Sequence, residues 1–210
     1  MTTIYLIRHS KTLKVNNDYT KDNLQLQNEK QILSLEGEDI AKKHFSSDIY
    51  NNIDCVYSSN YIRAISTAKY VAEKNNLEIN VLDDLGERKF GINSWSELPN
   101  DFEQKQLLDE NYKIANGESQ KEVRSRMKSA IIEILNKNKG KNIVVVSHGT
   151  AIIFLLKEWC DIKFVEEKLH YNFNGKNIFN GYLNYCETFK LEFDDSNNLI
   201  NIENKFNITD

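Results

Sequence analysis

The chain has 210 residues, of which 40% are hydrophobic and 28% charged, and its net charge is −4. That length and balance are ordinary for one soluble globular domain with a substantial core. A mildly acidic chain without a basic run lacks the electrostatic footprint of a nucleic-acid binder, so the expected partner is a small molecule.

Three cysteines, Cys55, Cys160 and Cys186, are too few and too scattered for a disulfide framework or a zinc cage. The opening MTTIYLIRHS has only a few apolar residues before Arg8, unlike a secretory signal. No apolar run is long enough to cross a bilayer. The expectation is a cytoplasmic protein of one domain spanning residues 1–210.

Residues 3–7 read as a short buried strand that Arg8 and His9 stop. Residues 13–30 are polar and without a period, and read as a surface loop. Helical spacing starts near Ser34, with Ile40, Ala41 and His44 following it. A second apolar run, DCVYSS at residues 54–59, leads into a helix with Ile62, Ile65, Ala68 and Ala72 at one-face spacing. Residues 79–82 suit a third strand, 86–95 an irregular glycine-bearing segment, and 102–112 a helix.

Ser119 followed by Glu122 has the form of a capping box. The helix behind it carries a clean stripe of Val123, Met127, Ala130, Ile131, Ile134 and Leu135, and Gly140 closes it. NIVVVSHG holds the strongest buried strand, residues 143–146, and runs into a helix over 151–159. Residues 185–193 alternate as an edge or antiparallel strand. Strands alternating with helices predict an α/β fold, a mainly parallel sheet with helices on both faces.

Polar residues of unusual type follow three of these strands. Arg8 and His9 follow the first, Ser58, Ser59 and then Arg63 the second, and Ser147, His148 and Gly149 the buried one. Ligands of open α/β sheets bind at the carboxyl ends of the strands, where helix N-termini add positive dipole. The three clusters are therefore expected to form one pocket with two arginines and two histidines. Such a pocket suits a dianion, and phosphate is the leading candidate.

LIRHSKT at residues 6–12 resembles the R-H-G-x-T signature of the histidine phosphatase superfamily, also called the phosphoglycerate mutase family. Five further blocks resemble that family in the same order: SLEGEDIAKK (34–43), SSNYIRAISTA (58–68), LGERKFGINSW (85–95), GES (117–119) and VVSHG (145–149). The resemblance implies a three-layer α/β/α sandwich of phosphoglycerate mutase-like form. It implies His9 as a nucleophile that becomes a phosphohistidine, with Arg8 and Arg63 clamping phosphoryl oxygens. His148 would be a further, cationic donor, and Glu87 the general acid and then base. Thr12, Ser10 and the Ser58–Ser59 pair are weaker candidates for phosphate contact.

No cofactor is implied, and no metal is expected, since His9 and His148 lack the paired spacing of zinc motifs. His44 and His170 match no motif and read as structural. Two positions depart from the family pattern. Ser10 stands where the signature has glycine, and Val15, with Asn16 and Asn17 beyond it, stands where the family often has asparagine. Family mutases carry a long basic insertion between the acid/base glutamate and the last histidine. The short connection here favours a phosphatase over a mutase-type phosphotransferase, and intact key residues argue against a non-catalytic phosphate-binding protein.

Overall fold

The computed structural model describes residues 1–14, 22–166 and 168–205. In chain order the strands are β1 (Thr2–Arg8), β2 (Cys55–Ser58), β3 (Ile79–Val81), β4 (Asn142–Ser147), β5 (Asp161–Val165), β6 (Lys168–Phe173), β7 (Lys176–Asn180), β8 (Thr188–Phe193) and β9 (Leu199–Asn204). The α-helices among the described residues are α1 (Leu24–Lys30), α2 (Leu35–Phe45), α3 (Ile62–Asn75), α4 (Phe102–Leu108), α5 (Gln120–Lys137) and α6 (Gly149–Leu156).

Six strands form the central sheet in the order β3-β2-β4-β1-β8-β9. The first four are mutually parallel, and β8 and β9 add antiparallel. The apolar run of β4 explains its central place, because alternate residues serve opposite faces. Ile143 and Val145 pack with Val123, Met127, Ile131 and Leu155 of α5 and α6. Val144 and Val146 pack with Ala41 and Phe45 of α2 and with Ala64, Ala68 and Val71 of α3. Both faces are thus covered by helices, giving the expected three layers. Each such fully buried aliphatic side chain contributes about 1.5–3 kcal/mol.

Several expectations need correction. Part of the segment read as a loop, residues 13–30, is helical. In α1 the Asn23 side chain caps the helix by accepting from the Leu26 amide, and Leu24 is its one buried residue. A helix with so narrow an apolar face leaves no periodicity to read. On α3 the buried face is Ala64, Thr67, Ala68, Val71 and Ala72, while Ile62 is 40% exposed. Small residues line that face because α2 and β4 approach it closely. The segment 185–193 supplies β8, antiparallel as expected, but β9 takes the sheet edge.

The second sheet, β5-β6-β7, was not anticipated. Its signal is nonetheless local: Asn174 (φ 49°) and Gly175 (φ 76°) make the two-residue turn between β6 and β7. Both positions need positive φ, which Asn-Gly supplies at least cost.

Gly37 fixes the entry of α2 against the end of β1. The Ser34 side chain caps the helix by accepting from the Gly37 amide at 3.0 Å, and the Ser34 amide donates to the Lys11 carbonyl at 3.0 Å. A methyl group on Gly37 would overlap that Lys11 carbonyl. Gly37→Ala gains helix propensity, about 1 kcal/mol. The backbone overlap outweighs it, and the expected net loss is about 2 kcal/mol or more. Urea unfolding midpoints of the two proteins check this. A variant as stable as the parent contradicts it.

Candidate active site

Three strand ends meet at one place, as the sequence suggested. Arg8 ends β1, with His9 and Ser10 beyond it. Ser59 follows β2, and His148 follows β4 at the N-cap of α6. Arg63 projects from the first turn of α3. His9, Arg63 and His148 are 7%, 3% and 0% exposed, so the cluster is almost closed to water.

His9 is held in one tautomer. Its Nδ1–H donates to the Ser10 carbonyl at 2.7 Å, which leaves the lone pair on Nε2. Arg63 Nε–H donates to that same Nε2 at 3.0 Å. Burial, and then the Arg63 charge, push the His9 pKa well below its ordinary value, so the ring is neutral near pH 7. The ring centroid of His148 lies 5.0 Å away. His148 Nε2 lies 2.7 Å from Ser59 Oγ, while its Nδ1 is buried and has no partner among the described residues. Burial and the charge of Arg63 also lower the His148 pKa. The ring is therefore neutral near pH 7 rather than the cation implied by the family resemblance.

The guanidiniums are anchored from behind. Arg8 Nη1 donates to the Leu183 carbonyl, its Cζ lies 4.8 Å from the Tyr185 ring centroid, and its Nε is buried without a partner among the described residues. Gly149 lets α6 approach it, since a Cβ there would lie 3.3 Å from Arg8 Nε. Arg63 Nη1 donates to the Asn28 carbonyl, and Arg63 Cζ lies 4.8 Å from the Tyr61 ring centroid. The same Tyr61 ring packs 4.6 Å from His148.

Glu87 reaches the cluster from the loop after β3. One carboxylate oxygen accepts from the amides of Arg88 and Ala151, both at 2.9 Å, and the other from Thr150 at 3.2 Å. The positive end of α6, expected to face the phosphate, is thus occupied by Glu87. Arg126 on α5 secures this loop by donating to the carbonyls of Asp84, Gly86 and Glu87 and pairing with Glu118 at 2.7 Å. Glu118 in turn accepts from the Lys89 amide at 2.9 Å. Ser119 and Glu122 form the capping box the sequence indicated.

The remaining candidates stand apart from the cluster of His9, Arg63 and His148. Ser10 Oγ donates to the Gly37 carbonyl at 2.6 Å, and its amide donates to Thr67 Oγ1 at 2.9 Å, so its side chain faces α2 and α3. Thr12 bridges Leu33 through its backbone. Ser58 Oγ donates to the Ser59 carbonyl at 3.0 Å. Val15, Asn16 and Asn17 lie outside the described residues. His44 joins Tyr50 (2.5 Å) and Thr188 (3.1 Å) in a network between α2 and β8, and His170 sits on β6.

Tyr61, Arg126, Leu183 and Tyr185 escaped the sequence reading. Each supports a group identified there: Arg126, Leu183 and Tyr185 through contacts distant in sequence, and Tyr61 by stacking on the nearby Arg63 and on the distant His148. Beside Arg63, a cavity of about 200 Å³ is lined by Asn23, Gln25, Asn28, Lys89 and Asn116 among others. No group of histidine, cysteine, aspartate and glutamate side chains suited to a metal ion occurs among the described residues. No helix among them is long and apolar enough to cross a membrane.

Two buried histidines and the half-buried His44 set an acid limit on stability. His9 and His148 titrate far below about 6.5, the value for an unfolded chain, and burial lowers His44 to about 4. Below pH ~6.5 the unfolded chain therefore binds protons that the fold refuses, and stability falls as pH drops. The thermal midpoint is expected to hold above pH ~6.5 and to decline steadily toward pH ~4. Calorimetry across that window checks it, and a flat midpoint would contradict the burial argument.

The parallel sheet, its two helical layers and a site at the carboxyl ends of β1, β2 and β4 define an α/β protein of phosphoglycerate mutase-like fold. Residues 4–177 match the family model of the histidine phosphatase superfamily (branch 1), and the chain belongs to that superfamily. No curated protein matches it by sequence.

Solved structures share its fold at low identity. A mycobacterial glucosyl-3-phosphoglycerate phosphatase superposes with TM-score 0.67 at 16% identity, over 97% of this chain and 96% of that one. A phosphoserine phosphatase mutant from Entamoeba histolytica, in complex with phosphoserine, superposes with TM-score 0.65 at 21% identity, over 97% of each chain. YhfR of Bacillus stearothermophilus gives 0.67 at 19%, over 95% of each chain.

Proposed function

We propose that this protein is a metal-independent phosphatase that hydrolyses small-molecule phosphomonoesters through a phosphohistidine at His9. The observation that carries this reading is the state of His9. A neutral imidazole with Nδ1–H tied to the Ser10 carbonyl points its lone pair at Nε2 into a buried cluster of Arg8, Arg63 and His148. Two orphaned buried nitrogens, Arg8 Nε and His148 Nδ1, fit an anion that completes the site.

In the first step His9 Nε2 attacks phosphorus, the ester P–O bond breaks, and Glu87 delivers a proton to the departing alkoxide. In the second, Glu87 takes a proton from water, the resulting hydroxide attacks phosphorus, and the P–N bond breaks to release inorganic phosphate and neutral His9. Charge in these transition states spreads over the equatorial oxygens, to which Arg8 and His148 would donate, with Arg63 once it has left His9 Nε2. Ser59, by donating its hydroxyl proton to His148 Nε2, would keep the Nδ1–H directed at phosphate.

Hydrolysis is favoured over transfer to a second phosphoester by the connection between Glu87 and His148. Three of its basic residues are held by carboxylates: Lys105 with Asp101 at 2.9 Å, Lys113 with Glu122 at 2.6 Å and Arg124 with Glu110 at 2.5 Å. The cavity at Asn28, whose carbonyl accepts from Arg63, is lined by carboxamides and Lys89 together with Leu24, Phe90 and Ile92, and would take a small leaving group of mixed polarity. The superposed proteins, named for glucosyl-3-phosphoglycerate and phosphoserine, suggest where a screen should start. A panel of metabolite phosphomonoesters assayed with and without EDTA tests the reading. Activity that survives chelation is expected. Loss of activity with EDTA, or no turnover of any ester, would overturn it.

A further inference from the structure

A second chamber, of about 600 Å³, opens between α4, α6 and the small sheet. None of Arg8, His9, Arg63, Glu87 and His148 lines it. Its floor is apolar and buried, with Phe154 1% and Leu169 2% exposed, and its rim carries Phe164 and Tyr182, 42% and 60% exposed. The volume lies in the range that holds a drug-sized ligand.

Arg88 also lines this chamber and is 3% exposed. Its Nη1 donates to Gln106 Oε1 at 2.8 Å, its Nη2 pairs with Glu103, and its guanidinium lies over the rings of Phe90 and Phe102. Its Nε–H is buried and has no partner among the described residues. A buried donor left unmatched is costly, and a ligand oxygen would satisfy it. Glu103, itself lining the chamber, already balances the arginine charge, so an anionic ligand would meet a carboxylate. The fitting acceptor is a neutral one.

We propose that this chamber binds a neutral, largely apolar small molecule that presents a carbonyl or hydroxyl oxygen to Arg88 Nε, separately from the phosphoryl site. Its occupant would lie against the wall that carries Glu87, because the amides of Arg88 and Thr150 are donors to the Glu87 carboxylate.

The test titrates the full chain with 6-propionyl-2-(dimethylamino)naphthalene, a neutral naphthyl ketone whose emission moves to the blue in apolar surroundings. Saturable one-to-one binding with a blue shift is expected, and excess inorganic phosphate should leave it unchanged. Phe164→Asp and Tyr182→Ala alter exposed rim positions that the fold does not require, and each should weaken binding by about tenfold or more. Arg88→Met keeps the apolar stem and should weaken it by about fivefold through loss of the donor. Rim variants that bind like the parent, or displacement by phosphate, would overturn the proposal. So would sedimentation showing a concentration-dependent dimer that excludes the probe, which would assign the chamber to a second copy of the chain.

Discussion

Replacing His9 with alanine is expected to lower phosphomonoester hydrolysis by about 10⁴-fold or more, because the proposed covalent route then has no nucleophile. The fold should survive: His9 lies beyond the end of β1, and its side-chain bonds are to the Ser10 carbonyl and to Arg63. Arg8, Arg63 and His148 remain in the variant, so affinity for phosphate should change far less than turnover. A difference between ligand binding and rate separates loss of chemistry from loss of the pocket. The parent protein, quenched in alkali during turnover of a radiolabelled ester, should carry an acid-labile label that peptide mapping places on His9. A variant that retains a tenth of the parental rate, or a label at another residue, would remove His9 from the proposed role.

Glu87→Ala should cost about 10²–10⁴-fold in kcat for alkyl phosphoesters, the usual worth of general acid–base catalysis. The loss should be much smaller in the phosphorylation step for p-nitrophenyl phosphate, whose phenolate departs without a proton. That contrast is the informative part. A residue that merely caps α6 would slow every substrate alike, and the caps of α6 are what Glu87 visibly supplies through Thr150 and Ala151. Equal losses in the phosphorylation step on both ester types would reduce Glu87 to a structural role. Thermal melts of the variant measure the capping contribution independently, about 1 kcal/mol by comparison with other helix caps.

The elements that proved legible were those whose burial pattern is written locally. β4 and the α5 stripe are the strongest examples: every apolar residue singled out on them is buried. The clustering of His9, Arg63 and His148 was also foreseeable, because strand ends of a parallel sheet lie side by side. What escaped notice falls into two kinds. α1 buries Leu24 alone, and such a helix looks like polar loop until its Asn23 cap is recognised. The supports of the site, Arg126 beneath Glu87 and the Leu183–Tyr185 segment behind Arg8, come from remote chain positions brought together by packing. Ser10 illustrates a third case. Its place in the signature suggested a phosphate donor, whereas its hydroxyl is taken by Gly37.

The bond from Arg63 Nε to His9 Nε2 means that the resting imidazole is masked. An alkylating reagent or a stray soft cation arriving at the site meets a lone pair already in use. Under the proposed function a phosphate ester is different, since its oxygens would compete for the same guanidinium and draw it off the ring. Reactivity would then be unveiled by the very molecule it is meant for, a safeguard that needs no moving domain and only one side chain to turn.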